Sequence, residues 1–313
     1  MAEPRIGVVG ATGAVGRVTL ELLFERGFGQ VRAFASERSA GSTLPYGKGE
    51  LVVEEASAES LGSDLDLCFF SVGTAQSAEL VPAAVGGGAV CVDKSSAFRL
   101  NEGIPLVVPE VNGDRAGEHQ GIVANPNCST IQLVCALAPL HEAAGLRSVR
   151  VATYQSASGA GAERMDQLRA QEPAAGNVVM DWEFDGDESD EESKLRAETR
   201  KIMELPDLRL SATCVRVPVL IGHSQAVWIE TERRLSPEEA RAALDAAPSV
   251  RVTDRPTPVE AVGGDEVLVG RIRRDTAGAG LALWIVCDNL RKGAALNAIQ
   301  IAELLLERHA LAA

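Results

Sequence analysis

The sequence predicts an α/β protein in two parts, and three observations carry that prediction. The chain opens on a short apolar strand that runs at once into a glycine-rich turn and a helix. Short apolar strands then alternate with helices as far as residue 127. From Cys128 the pattern changes to longer strand-like runs of a second sheet, closed by a last helix. With 313 residues the chain is long enough for two domains and a sizeable core.

RIGVV (5–9) is the first buried strand, and GATGAVG (10–16) follows it directly, with a helix through Val18, Leu22 and Leu23. Strand, glycine turn and helix N-terminus together form the setting in which backbone N–H groups receive a pyrophosphate. The spacing is G-x-x-G-x-x-G, not the simpler G-x-G-x-x-G, and a glycine turn often serves tight packing alone. Its position at the first strand–helix junction is what strengthens the functional reading. The second strand, 30–35, ends in SERSAG (36–41). NAD enzymes place an acidic residue there for the ribose 2′-hydroxyl. Here Ser36, Arg38 and Ser39 suit a 2′-phosphate, which favours NADP over NAD, with Glu37 the competing detail. The strand 66–70 leads to a turn at Gly73, at the carboxyl strand ends where ligands of open α/β sheets collect. A helix over 78–84, a strand over 89–93 and a polar loop, KSSAFR (94–99), come next. Short strands over 105–108 and 121–124 lead to NPNCSTIQL (125–133).

That last stretch organises the chain. Asn-Pro favours a turn, and Ile131, Leu133, Val134 and Leu137 have helical spacing. Cys128 is therefore expected at a helix start, where free N–H groups and the helix dipole favour the reactive thiolate. A lone cysteine is more often a small buried hydrophobe. The glycine turn upstream and a His-Ser pair downstream change those odds.

Beyond it, 147–155 is strand-like and ends at Gln155, a polar handle or simply a strand end. A small-residue loop, SASGAG (156–161), follows. Residues 181–192 hold eight acids among twelve, which predicts a solvated loop. The next helix carries Lys194, Arg196, Glu198, Arg200 and Lys201, and the default for Glu198 and Lys201, three apart on one face, is a surface ion pair. Strands over 210–219 and 226–233 flank Gly222-His223-Ser224. His119, His141 and His309 lack convergent polar company, whereas Arg216 precedes His223 by seven residues and could share its site. A helix over 237–247, strands over 267–273 and 281–287, and a last helix over 294–308 complete the chain. Its stripe of Ile299, Ala302 and Leu305 is expected to pack back on the first domain.

Composition narrows the function classes. Apolar residues at 46% and charged residues at 24% suit a soluble globular protein. A net charge of −14 argues against nucleic-acid or anionic-membrane partners. It leaves room for anionic small substrates, which a few local arginines can attract. The six cysteines are scattered without C-x-x-C spacing, so reduced cytosolic thiols are expected, with no disulfide framework and no metal site. The sequence shows no membrane-length apolar run, and its opening directly on a strand leads to the expectation of no cleavable leader and a cytoplasmic location.

Taken together, these words resemble the aspartate-β-semialdehyde dehydrogenase family. GATGAVG, SERSAG, SSAFR (95–99), NPNCSTIQL, SGAG (158–161), ETRKI (198–202), CVRVPV (214–219), GHS (222–224), VGRIR (269–273) and DNLRKGAALNAIQIAE (288–303) run in family order over nearly the whole chain. The resemblance implies a Rossmann-like NADP-binding domain formed by 1–127 and 290–313. It implies an α+β catalytic and dimerisation domain over 128–289, with the C-terminal helix returning to the first domain. It also implies Cys128 as nucleophile, His223 as general acid/base and Gln155 as substrate-orienting residue. Arg216 would bind the substrate α-carboxylate, and Arg99 and Lys201 the phosphate, with Asn127 nearby. Glu198 would help to hold the substrate amine or the cationic pair. Gly10, Thr12, Gly13, Ala14, Val15, Gly16, Ser36, Arg38, Ser39, Gly73, Ser158, Gly159 and Asn289 would hold NADP(H).

The implied reaction is reversible reduction of L-4-aspartyl phosphate to L-aspartate 4-semialdehyde and phosphate through a Cys128 thioester. It belongs to lysine, threonine, methionine and diaminopimelate biosynthesis, in a homodimer. Three departures stand out: Gln225 where the family commonly has glutamate after GHS, the acidic run in a shortened segment before ETRKI, and SVGTAQS (71–77) in place of a glycine-serine-rich turn. Two rivals are a sister reductase of N-acetyl-γ-glutamyl phosphate, against which RVPV and DNLRKGAA argue, and a non-catalytic paralogue. Such paralogues typically lose the cysteine or histidine, and this chain keeps both.

Overall fold

The computed structural model describes residues 3–308, so His309 lies outside the described residues. The chain divides into two compact units. One runs to Pro126 and resumes at Ala294; the other spans Asn127–Gly293.

In the first unit, β1 (Ile6–Val9), α1 (Ala14–Glu25), β2 (Val31–Ala35), β3 (Thr43–Tyr46) and β4 (Gly49–Glu55) come first. Then follow β5 (Leu67–Phe70), α2 (Thr74–Gly86), β6 (Val90–Asp93) and β7 (Ile122–Ala124). They form one sheet in the order β3-β4-β2-β1-β5-β6-β7. Every pairing is parallel except the β3–β4 hairpin. The residues of β1, β5 and β6 are buried throughout, which is why they read as unbroken apolar runs. The hairpin β3–β4 was not anticipated: its residues are largely exposed at the sheet edge and carry no buried run. Residues 105–108, expected as a strand, contribute a single bridge from Leu106 to Ala124.

In the second unit, α3 (Cys128–Ala144) precedes β8 (Leu146–Gln155), α4 (Ala162–Arg169) and the small ribbon β9 (Phe184–Asp185) and β10 (Glu188–Ser189). After α5 (Asp190–Ile202) come β11 (Arg209–Arg216), β12 (His223–Thr231), α6 (Pro237–Asp245), β13 (Val250–Val252), β14 (Val267–Arg274) and β15 (Leu281–Cys287). The six-stranded sheet has the order β11-β8-β12-β15-β14-β13, and α3 packs against it. A π-helical turn over Arg291–Ala295 then leads to α7 (Leu296–Glu307), which belongs to the first unit. Ile299, Ala302 and Leu305 of α7 lie in that unit's core, as the stripe predicts. Among the described residues no helix is long and apolar enough to cross a membrane.

The acidic segment corrects the expectation of a solvated loop. Asp190, Glu191 and Glu192 form the first turn of α5, and Ser189 and Glu192 make a reciprocal capping box. Glu191 and Glu192 are buried. Each carboxylate is met by N–H donors, which is what lets it leave water.

Candidate active site

Strand register builds the site in the second unit. Arg216 at the end of β11 pairs with Gln155 at the end of β8. On the other side of β8, Ser224 of β12 pairs with Tyr154, so His223 lies one step beyond, level with Gln155. His223 in turn pairs with Cys287 at the end of β15. Residues opposite one another share a face. Arg216, Gln155 and His223 therefore form a row across one sheet edge, and all three are buried. His223 is the first residue of β12, not part of the connection before it.

Cys128 is the first residue of α3, as its helix-start motif predicts, and the only described cysteine that is not buried. Asn127 is its N-cap: Oδ1 accepts from Ser129 N at 2.7 Å. Gln225, two residues after His223 on the same face of β12, donates through Nε2 to Ser129 O at 2.8 Å. That bond ties the strand of His223 to the first turn of the helix of Cys128. The departure at Gln225 thus bears on that first turn, where an amide can donate and an ionised carboxylate cannot.

Two carboxylates of α5 hold the residues around this helix start. Glu198, 1% exposed, accepts the Asn127 backbone N–H at 2.7 Å. The expected surface position for Glu198 is thereby corrected. Glu191 Oε1 accepts from Gln155 Nε2 at 2.9 Å and from Asn127 Nδ2 at 3.0 Å. Lys201, one helical turn beyond Glu198, is half-buried, and burial holds its ammonium below the ordinary lysine range.

The His223 ring is fixed by Ser156, whose backbone N–H donates to Nδ1 at 3.0 Å. Ser156 Oγ lies 3.0 Å from both Nδ1 and Asn289 Oδ1. Because Nδ1 accepts, the neutral ring carries its proton on Nε2, a buried atom without a hydrogen-bond partner among the described residues. Burial, with a contribution from the Arg216 cation, pushes the His223 pKa down to about 3. Arg216 donates through Nη1 to Ser156 O and through Nε to Asp181, and its guanidinium lies 4.9 Å over the Trp182 ring. Gly159 sits where these groups converge: a Cβ there would be 3.0 Å from His223 Nε2 and 3.3 Å from Arg216 Nη1. Asn289 and Ser158, expected at the cofactor, are buried and bonded to each other, and Gly222 N donates to Asn289 Oδ1.

The first unit holds the remaining expected residues. Gly10 has a φ of +81°, and a Cβ there would lie 2.4 Å from Ser71 O, so this turn requires glycine. α1 starts after Gly13 without a side-chain cap, the kind of helix start that can receive a phosphate; Thr12, Ala14, Val15 and Gly16 belong to the same turn. Ser36 precedes a 3₁₀ turn over Glu37–Ser39, with Ser36 and Arg38 exposed. Gly73 is the N-cap of α2. This cradle fits a dinucleotide bearing a 2′-phosphate. Arg99 is buried, with Nε donating to Asn125 O at 3.0 Å and Nη2 to Lys94 O at 2.6 Å.

Asp181, Trp182, Glu191 and Ser156 escaped the sequence reading. For Glu191 a signal existed, since Ser189-Asp190-Glu191-Glu192 is a capping-box pattern before the stripe Leu195, Thr199 and Ile202.

Comparison with known proteins gives concordant results. Residues 5–119 match the semialdehyde dehydrogenase NAD binding domain, and residues 137–292 the semialdehyde dehydrogenase dimerisation domain. The chain is 44% identical to the aspartate-semialdehyde dehydrogenase of Aquifex aeolicus, over 97% of this chain and 98% of the relative. Its fold matches that of aspartate semialdehyde dehydrogenase II from Vibrio cholerae complexed with ASA, with a TM-score of 0.92, 38% identity and coverage of 98% and 99%. It also matches the Candida albicans aspartate semialdehyde dehydrogenase with NADP, with a TM-score of 0.81, 28% identity and coverage of 99% and 100%.

Proposed function

The chain belongs to the aspartate-semialdehyde dehydrogenase family, and from that premise we propose that it reduces L-4-aspartyl phosphate to L-aspartate 4-semialdehyde and phosphate, reversibly and with NADPH. The pathway served is lysine, threonine, methionine and diaminopimelate biosynthesis, in a cytoplasmic homodimer. The observation that carries this reading is the row Arg216, Gln155 and His223 on one sheet edge, coupled through Gln225 to the helix that Cys128 begins.

Cys128 Sγ attacks the β-carbonyl carbon, the carbon–oxygen bond to phosphate breaks, and a thioester forms. Arg99 and Lys201 are the cations assigned to the departing phosphate, and Arg216 to the α-carboxylate. Glu198 and Asn127 belong to the substrate-binding group. NADPH, held by the Gly10–Gly16 turn with Ser36, Arg38 and Ser39, supplies hydride when bound. His223 Nε2–H donates a hydrogen bond to the carbonyl oxygen as negative charge develops on it, and the ring stays neutral; on collapse the carbonyl re-forms as the carbon–sulfur bond breaks and Cys128 Sγ leaves as thiolate. Burial favours this neutral form.

The test is NADP reduction with aspartate semialdehyde or N-acetylglutamate semialdehyde, each with and without phosphate. Phosphate-dependent turnover of the first alone is expected. Turnover of the second in its place, or of neither by intact NADP-binding protein, overturns the assignment.

A further inference from the structure

We propose that Glu191 is a positioning residue for this reaction, one carboxylate that fixes the orientation of both amides at the Cys128 helix start. The proposal rests on the reading of Cys128 and Gln155 as active-site residues. Glu191, 6% exposed on the first turn of α5, places a single oxygen, Oε1, within 2.9 Å of Gln155 Nε2 and 3.0 Å of Asn127 Nδ2.

An amide has two ends of nearly equal shape and opposite hydrogen-bonding character, whereas an ionised carboxylate only accepts. Facing Glu191, each amide must turn its NH2 inward. For Asn127 this puts Oδ1 on Ser129 N at 2.7 Å, the capping orientation. The flipped amide would set an NH2 against that N–H and leave the helix of Cys128 uncapped. For Gln155, whose Nε2 also lies 3.3 Å from Thr153 Oγ1, the carbonyl oxygen is left as the end for a substrate. Gln155 therefore recognises an N–H or O–H donor, not a carbonyl. Separately, the negative charge of Glu191 near the start of α3 opposes a thiolate there, so orientation and charge make distinct contributions.

Full-length Glu191→Leu and Glu191→Gln, with folding and NADP binding verified, separate the two. Leucine removes the acceptor, and kcat is expected to fall roughly ten- to hundredfold, the range for losing a hydrogen bond to a charged group. Glutamine can present a carbonyl oxygen where Oε1 stands, so kcat should return to within about fivefold of wild type. Its alkylation profile at Cys128 should still shift to lower pH, since the charge is gone. In a Gln155→Leu background, Glu191→Leu should cost much less than in wild type, because part of its effect passes through Gln155. If Glu191→Leu does not fold, Glu191→Ala, which admits water, takes its place.

Wild-type kcat in a folded Glu191→Leu or Glu191→Ala protein overturns the proposal. So does a Glu191→Gln protein as slow as Glu191→Leu, or full additivity with Gln155→Leu. A Gln155→Leu protein that keeps wild-type kcat would instead remove the role assigned to Gln155, a failure distinguishable from that of Glu191.

Discussion

Arg216 and Asp181 form an ion pair in which Arg216 Nε donates to both carboxylate oxygens, at 3.1 and 3.0 Å. Arg216 is 6% exposed and Asp181 34%. The arginine assigned to the substrate carboxylate thus already holds one supplied by the protein itself. A substrate that uses Arg216 has to compete with Asp181. Asp181→Asn keeps the shape and removes the charge, and KM for aspartate semialdehyde is expected to fall roughly two- to fivefold with kcat little changed. That range discounts a partly exposed pair for solvent screening. Steady-state kinetics check it, and an unchanged or raised KM contradicts the competition.

Cys128 should be the one thiol that reacts in the native protein. The other five cysteines are buried. Burial pushes Cys214 up to about 12 and moves Cys68, Cys91 and Cys287 upward as well. Iodoacetamide at neutral pH is expected to label Cys128 alone, and faster than a free thiol. Asn127→Ala should slow that labelling and lower stability by about 1 kcal/mol, the usual cost of losing an N-cap. Peptide mapping and denaturant titration measure both effects.

His223 gives a pH dependence of known sign. Its pKa falls from an ordinary 6.5 to about 3 in the folded chain. The unfolded chain therefore binds the proton first on acidification. The His223 contribution is complete above pH 6.5 and is lost as pH falls from there toward 3. In a denaturant series from pH 7.5 to 4, wild type should lose more stability than His223→Asn. Parallel losses would contradict a buried neutral ring.

Gly159 leaves space between His223 and Arg216, and a single methyl group tests whether that space is used. The Cβ of Gly159→Ala would stand 3.0 Å from His223 Nε2. We expect a fall in kcat/KM of about a hundredfold with a melting temperature close to wild type, the pattern of displaced reacting groups in an intact fold. Wild-type kinetics would mean that nothing reacts at that position.

What the sequence made legible follows from the range of the interactions involved. The strand, glycine turn and α1 rest on local chemistry, and so does the start of α3 at Cys128, with its N-cap one residue away. The stripe of Ile299, Ala302 and Leu305 is also local, and its period sufficed to assign it to a core. Glu191 was misread because eight acids in twelve residues describe an average, and that average is solvated. The partners that meet the buried Glu191 carboxylate are Gln155 and Asn127, 36 and 64 residues distant. The hairpin β3–β4 was missed for a related reason, since an exposed edge pair lacks the buried run that marks β1 or β5.

The most direct test of the central claim is to look for the thioester. Wild type and Cys128→Ala would be mixed with aspartate semialdehyde and NADP without phosphate, quenched in acid and examined by peptide mass spectrometry. The geometry around Cys128 predicts one aspartyl group on the Cys128 peptide of wild type, released when phosphate is added before the quench, and none on Cys128→Ala. An NADP-binding wild-type protein that forms NADPH with Cys128 unmodified, or a Cys128→Ala variant that still turns over, would contradict covalent catalysis at this residue.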